Sequence, residues 1–145
     1  MESHSDIELR TTDELLPIFV AAQHGFLEIV KFFVSIGVPI DYQSSSSYDV
    51  IHMASLGSQT DVVSYLINIG SGINTKKVND CTPLHFAVMG NLATVELLLK
   101  HGANPNIKCK FGNTPLHEAA AHGTLRIFQL LLQNGAYFNT KDMVF

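Results

Sequence analysis

The sequence predicts a mainly α-helical solenoid of four stacked helix–turn–helix units. Two series of motifs that recur at one spacing, and one recurring type of helix, support this prediction. The segment CTPLHFAVMGN begins at Cys81 and the segment NTPLHEAAAHG begins at Asn113, so Thr82 and Thr114 open two copies of one motif. Self-similarity at a period of about 33 residues is typical of stacked helical repeats.

This series of motifs extends toward the N-terminus. One repeat period before Thr82 lies Asp49 in DVIHMAS, and one period before Asp49 lies Leu16 in LPIFVAAQHG. A second series consists of glycines that recur at the same spacing, and each of them ends an apolar segment. These are Gly37, Gly70, Gly102 and Gly135. We therefore predict an acidic segment over residues 1–12 and four units at about 13–43, 44–76, 77–108 and 109–145.

The first helix of each unit begins with a capping motif. Thr82 and Thr114 are good N-cap residues, and Pro83 and Pro115 suit the first helical position, where a missing N–H costs nothing. A short helix rich in small residues follows, and a glycine then turns the chain. We expect this turn to need a positive φ, which glycine adopts readily. The turn residues concerned are Gly25, Gly90 and Gly123.

The second helix of each unit is apolar over most of its circumference. The four segments read LEIVKFFVSI, TDVVSYLINI, LATVELLLKH and LRIFQLLLQN. Such a helix must be covered on more than one side. A single unit cannot provide that cover, but stacked units can.

The motifs TPLHFA with ELLLKHGANPN, and TPLHEAA with QLLLQNGAYFN, resemble the ankyrin repeat family. The resemblance covers residues 13–145. It implies an L-shaped unit of two antiparallel helices and a projecting β-hairpin, stacked into a curved solenoid. The second unit departs from the motif with Asp49 and Val50, and its early Gly57 puts its short first helix in doubt. The third unit has lost one residue around Met89–Gly90.

Bulk composition excludes several classes of protein. A formal charge of −4 argues against nucleic-acid binding, and an apolar content of 46% argues against disorder. Two cysteines are too few for a disulfide scaffold, and no apolar run reaches the ~20 residues of a membrane span. The acidic N-terminus is no secretory signal. We therefore expect two free thiols and a cytoplasmic location, with the nucleus as a second compartment.

The histidines do not predict catalysis or metal binding. His52, His85 and His117 occupy one repeat position, where the family resemblance implies a structural bond to the Thr hydroxyl and neighbouring backbone. The spacing of Cys81 and His85 matches no standard zinc motif. No nucleophile elbow or phosphate-binding loop is present. We expect no enzyme activity, no cofactor and no metal.

The resemblance instead implies a protein-binding surface along the hairpin tips and the inner face of the first helices. On the first helices, the positions concerned are Gln23, His24, Leu56, Met89, Ala121 and His122. On the hairpins, they are Gln43, Ser45, Ser46, Tyr48, Lys76, Val78, Asn79, Cys81, Lys108, Lys110, Phe111 and Asn113.

Two features of this surface point to a partner type. Tyr48, Leu56, Met89 and Phe111 are expected to form an apolar centre, and aromatic and Met anchors suit interface cores. A basic patch of Lys76, Lys77, Lys108 and Lys110 would favour an acidic protein segment and speed its encounter. Asn74, Asn106 and Asn139 recur at one hairpin position, where a structural hydrogen bond is the simplest role.

Three interpretations of function stay open. The first is a non-enzymatic binding module, such as a scaffold or adaptor, acting as a monomer or as part of a longer array. The second is a compact inhibitor of a kinase or transcription factor, because four repeats in this length resemble cyclin-dependent kinase inhibitors. The third is the recognition arm of a larger adaptor, toxin or effector. The sequence alone does not name the partner.

Two stretches complete the sequence picture. Ser44–Ser47 resemble a linker, but the repeat period is unbroken across them, which predicts a hairpin tip without a turn glycine, looser than the tip with Gly112. The terminal TKDMVF stops inside a predicted hairpin and would expose Met143, Val144 and Phe145. This favours a fragment, a truncated product or an isoform of a longer chain.

Overall fold

A computed structural model of the chain describes residues 16–41, 47–122 and 124–138. These residues contain eight α-helices in four antiparallel pairs and one short 3-10 turn at Val78–Asp80. The first helices of the units are α1 (Pro17–Gln23), α3 (Val50–Leu56), α5 (Pro83–Ala87) and α7 (Pro115–Ala121). The second helices are α2 (Leu27–Ser35), α4 (Thr60–Asn68), α6 (Leu92–Lys100) and α8 (Leu125–Gln133).

The first helices begin where the capping motifs predict. Asp49, Thr82 and Thr114 all have extended backbone at the N-cap, and helices α5 and α7 then start on a proline. Helix α1 also starts on a proline, but its N-cap Leu16 has no side-chain capping bond. The capping network is therefore complete in units 2 to 4 and relaxed in unit 1.

The doubt about the first helix of unit 2 was wrong. Helix α3 has seven residues, as α1 and α7 do, whereas α5 in unit 3 has only five. Gly57 does not turn the chain with a positive φ. Instead, a Cβ at Gly57 would lie 1.9 Å from the backbone oxygen of Gln23, so glycine permits a close approach between units 1 and 2.

The turn residues follow the prediction only in part. Gly25 has a φ of +80°, as expected. Gly90 is not among the positive-φ residues, so that prediction was wrong, and a Cβ there would instead meet the Ser58 side chain. Ser58 itself takes the left-handed conformation with a φ of 58°. Gly123 lies outside the described residues.

The core lies between the two rows of stacked helices. Each first helix packs on the first helix of the next unit, and each second helix packs on the next second helix. Ile51, Leu66, Leu98 and Leu131 are almost completely buried in these layers. Burying a side chain of this size stabilises the fold by about 1.5–3 kcal/mol. Stacking therefore supplies the cover that the apolar second helices need.

The predicted β-hairpins are hydrogen-bonded turns in the described residues, which contain no strand. The Lys77 N–H donates to the Cys81 carbonyl at 3.0 Å, and the Cys109 N–H donates to the Asn113 carbonyl at 2.8 Å. Residues 1–12, Asn139 and the terminal Met143, Val144 and Phe145 lie outside the described residues, as does most of the serine tract.

Candidate partner-binding surface

The turns found in place of the predicted hairpins are called the tips. Buried histidines hold the bases of these tips in place. The Thr82 backbone N–H donates to Nδ1 of His85 at 3.0 Å, and the Thr82 hydroxyl lies 2.9 Å from the same nitrogen. Nε2 of His85 lies 3.0 Å from the Asn113 carbonyl in the next unit. Because Nδ1 accepts, Nε2 carries the proton and donates. The Thr114–His117 pair repeats the capping bond, which confirms the structural role.

The same bridge recurs at His52, with Asp49 as the N-cap. The Asp49 N–H donates to Nδ1 at 3.3 Å, and Nε2 lies 3.0 Å from the Thr75 carbonyl and 3.2 Å from the Cys81 carbonyl. Burial lowers the pKa of His52 to about 4 and also lowers the pKa of His85. Both rings are therefore neutral at pH 7 and act as structural bridges between successive units.

The tips of successive units are joined by backbone hydrogen bonds. The Val78 N–H donates to the Ser47 carbonyl at 3.0 Å, and the Lys110 N–H donates to the Asn79 carbonyl at 2.7 Å. Asn74 and Asn106 add side-chain bridges to the Gly102 and Gly135 carbonyls at 3.1 and 3.0 Å. The structural role expected of these asparagines is confirmed, and the tips form one continuous edge.

The predicted surface residues divide by exposure. The exposed ones are His24, Lys76, Asn79, Met89, Lys108, Lys110, Phe111, Ala121 and His122. The half-buried ones are Gln23, Tyr48, Leu56, Val78, Cys81 and Asn113. Gln43, Ser45 and Ser46 lie outside the described residues. Ser47, the last serine of the tract, is fully buried.

Tyr48, predicted from the sequence to lie in the apolar centre of this surface, is half-buried rather than exposed. Its ring packs against Phe86 with the centroids 5.7 Å apart, and Leu56 also packs partly against the core. Phe86 was missed in the sequence because it varies between units, yet its ring also meets His52 edge-on at 5.8 Å. Exposed apolar area on this surface therefore comes mainly from Met89 and Phe111, which are 41% and 73% exposed.

The predicted basic patch loses one of its four lysines. Lys77 is buried, and its Nζ lies 3.6 Å from Oδ1 of the buried Asp49. An aspartate replaces the usual threonine at this N-cap, and a buried carboxylate needs a nearby cation. Lys76, Lys108 and Lys110 stay on the exposed side of the tips. The sequence contains a signal for this ion pair that was missed: an acidic N-cap residue in one unit and a second lysine in the tip of the next unit.

The two cysteines are free thiols, with Cys109 buried and Cys81 half-buried. Burial, and next the neighbouring Cys109, raise the pKa of Cys81 to about 11. The Cys81 thiol is therefore protonated at pH 7 and is a poor nucleophile. Among the described residues, no three His, Cys, Asp or Glu side chains are grouped to hold a metal ion.

Comparison with known proteins identifies the repeat. The family model for ankyrin repeats (3 copies) matches residues 1–77, 18–109 and 51–142, nearly the whole chain. The chain belongs to the ankyrin repeat family. Among curated proteins, YahD of Escherichia coli (strain K12), named as an ankyrin repeat protein, is 50% identical over 44 residues. That match covers 30% of this chain and 22% of YahD.

Ankyrin repeats are in general protein–protein interaction modules, and membership in this family gives the chain that general role. The stacked helix pairs and capping histidines described above are the physical basis of the ankyrin fold in this sequence. In the described part of the chain, every helix is too short or too polar to cross a bilayer.

Proposed function

We propose that this ankyrin repeat chain is a non-enzymatic scaffold or adaptor that works in the cytoplasm or nucleus. It holds a partner protein along its tips and the inner face of its first helices. The supporting observation is Phe111, which is 73% exposed at a tip whose backbone is fixed. The Gly112 N–H donates to the Cys109 carbonyl at 2.9 Å, and the neighbouring Lys110 N–H is bonded to the preceding tip. A large aromatic on a rigid support is a typical interface anchor.

The partner we propose carries an acidic segment with an apolar anchor. Lys76, Lys108 and Lys110 are exposed on two adjacent tips, although the chain as a whole carries a charge of −4. Complementary charge around an apolar contact speeds association and rejects basic competitors. Because the tips are already ordered by hydrogen bonds, binding costs little conformational entropy on this side of the interface.

The proposed contact set keeps all the predicted positions except Cys81 and Ala121. It comprises Gln23, His24, Gln43, Ser45, Ser46, Tyr48, Leu56, Lys76, Val78, Asn79, Met89, Lys108, Lys110, Phe111, Asn113 and His122. Within it, Phe111 and Met89 supply the apolar contact, and the three exposed lysines supply the charge.

The test is affinity capture from the source cell with the wild-type chain, followed by mass spectrometry and measurement of binding to the captured partner. We expect Phe111→Ala to weaken binding at least tenfold, and Lys110→Glu to slow association and reduce its salt dependence. Phe138→Ala is the matched control, because Phe138 is 74% exposed and is not in the proposed contact set. Unchanged binding by both tip variants would refute the assigned surface.

A further inference from the structure

The two ends of the described solenoid expose apolar side chains at positions that are buried in the other units. The third residue of the second helix is 0%, 0% and 1% exposed at Val62, Thr94 and Ile127, but 47% exposed at Ile29 in unit 1. At the other end, Ala120 is exposed, whereas the equivalent Ala22, Ser55 and Val88 are fully buried. Each end is therefore one half of a junction between units.

Contacts inside the chain show which positions meet across a junction. The hydroxyls of Thr60 and Thr94 lie 2.9 Å apart, so the first position of one second helix meets the third position of the next. The Gln59 amide donates to the Gln23 carbonyl at 3.0 Å, so the residue before a second helix meets the end of the preceding first helix.

A third contact completes the pattern. Nζ of Lys31 lies 5.6 Å from the centre of the Tyr65 ring, so the fifth position of one second helix lies over the sixth position of the next. Each unit has a trailing face, which packs on the next unit along the chain, and a leading face, which packs on the preceding unit. Together, these three contacts define how the trailing face of one unit packs on the leading face of the next.

We propose that a second copy of this chain stacks end to end on the first, with unit 1 of one copy covering unit 4 of the other. By the register above, Leu125 meets Ile29 of the second copy, Ala121 meets Phe26, and Gln129 lies over Phe32. The exposed fractions of Leu125, Phe26 and Phe32 are 66%, 56% and 59%. The stack repeats, between copies, a junction that the chain already forms three times within itself.

The chemistry at the two ends is matched. Where the internal junctions use polar pairs such as Thr60 with Thr94, the ends place apolar side chains on both sides, at Leu125 and Ile29. The six contact positions carry no charged side chain, so these contacts bring no like charges together. Burying the exposed apolar area on both ends drives the association.

Because the two contacting faces differ, this association is head-to-tail. A head-to-tail contact without rotational closure grows into an open linear array. A two-fold dimer, in contrast, would use the same face twice and would stop at two chains.

The experiment is sedimentation velocity of the full chain from micromolar to millimolar concentration. We expect the wild-type mass to rise with concentration from 15.9 kDa to beyond twice that value. Ile29→Glu blocks the leading end and Leu125→Glu blocks the trailing end, so each variant alone should associate at least tenfold more weakly. Ile69→Glu, at a position that is 40% exposed in the interior unit 2 and outside the proposed contact set, should associate as the wild type does.

A mixture of the two end variants gives the decisive result. Each variant keeps one intact end, so an equimolar mixture should form a 1:1 complex of twice 15.9 kDa and grow no further. Ile29→Gln and Leu125→Gln replace either variant that loses its helical circular dichroism. Three results would each overturn the proposal. The wild type could stay monomeric, one end variant alone could associate as strongly as the wild type, or the mixture could stay monomeric.

Discussion

At the scale of single residues, the buried histidines at positions 52 and 85 are neutral hydrogen-bond bridges. In each, Nδ1 accepts a backbone N–H from the N-cap residue, at 3.3 and 3.0 Å. Protonation of Nδ1 would place two N–H donors face to face inside the protein. A buried ring of this kind therefore stabilises the fold only while it is neutral.

We expect the free energy of unfolding to fall as the pH drops from 7.5 to 5.5. The pKa of His52 is 6.5 in the unfolded chain and about 4 in the folded chain. Its contribution is therefore complete above pH 6.5 and is lost as the pH falls from 6.5 toward 4. The loss by pH 5.5 is about 1.4 kcal/mol from this group alone. Urea unfolding at each pH measures it.

The variant His52→Gln tests this assignment. It should lower stability at pH 7.5, because the bridge is lost, but its stability should depend less on pH than that of the wild type. His101→Gln removes an exposed imidazole and controls for the loss of a histidine as such. An unchanged pH dependence in His52→Gln would contradict the assignment.

The buried ion pair of Asp49 and Lys77 gives a second expected result. Lys77→Met should cost about 3–5 kcal/mol, because it leaves a buried carboxylate without its cation. Lys76→Met, one residue away but exposed, should change stability by less than about 0.5 kcal/mol. Denaturant unfolding compares the two.

A double variant separates charge from packing. Asp49→Thr installs the N-cap residue of units 3 and 4, and in combination with Lys77→Met it should recover most of the lost stability. If Lys77→Met and Lys76→Met have equal effects, the ion pair contributes nothing.

At the scale of elements, the four helix pairs differ most at their internal turns. Unit 1 turns on Gly25, whereas unit 2 turns on Ser58 in the same left-handed conformation. Ser58 also accepts the Asn91 N–H at 3.2 Å, and its carbonyl accepts the Asn91 side chain at 3.3 Å. The turns therefore also serve as contacts between units.

Gly25→Ala should destabilise the chain more than Gly70→Ala does. Both glycines have positive φ, +80° and +100°, so alanine strains the backbone by about 1–2 kcal/mol at either site. A Cβ at Gly70 meets nothing within 4 Å, but a Cβ at Gly25 would displace the Gln59 amide from the Gln23 carbonyl. The lost hydrogen bond adds about 1 kcal/mol.

The Gln59→Ala background checks the cause of that difference. With the Gln59 side chain gone, Gly25→Ala and Gly70→Ala should cost nearly the same amount in thermal or urea unfolding. A difference that persists in this background would mean that Gln59 is not the group that alanine displaces.

The sequence predicted the repeated elements well and the contacts between units poorly. The capping bonds of Thr82 and Thr114 follow from local rules, because each hydroxyl and its histidine belong to the same helical turn. The burial of Lys77 and the role of Gly57 depend on partners in the preceding unit, at Asp49 and Gln23. Such contacts depend on how neighbouring units approach each other, which the motif of a single unit does not determine.

At the scale of the whole molecule, the described helices make their main contacts within a unit or with the adjacent unit. An interior unit is therefore covered on both sides, whereas unit 1 of the described chain is covered on one. In repeat proteins, stability is approximately the sum of unit and junction terms. Equivalent positions should then differ in their energetic importance.

Ile127 and Ile29 provide a matched comparison, because they are the same residue at the same repeat position. Ile127 is 1% exposed and Ile29 is 47% exposed. Ile127→Ala should cost about 2–5 kcal/mol, and Ile29→Ala less than about 1 kcal/mol, in dilute solution where chains do not associate. Equal losses in urea unfolding would mean that the third position of the second helix is covered as fully in unit 1 as in unit 4.

Serial packing also determines how this molecule would respond to being pulled from its two ends. A stack pulled from its ends carries the same tension through every junction, so the weakest junction ruptures first while the others still hold. Each unit that unravels releases about 33 residues, or about 11 nm of extended chain. Under load, the protein would therefore lengthen in discrete steps, and each step would match the spacing between its recurring motifs.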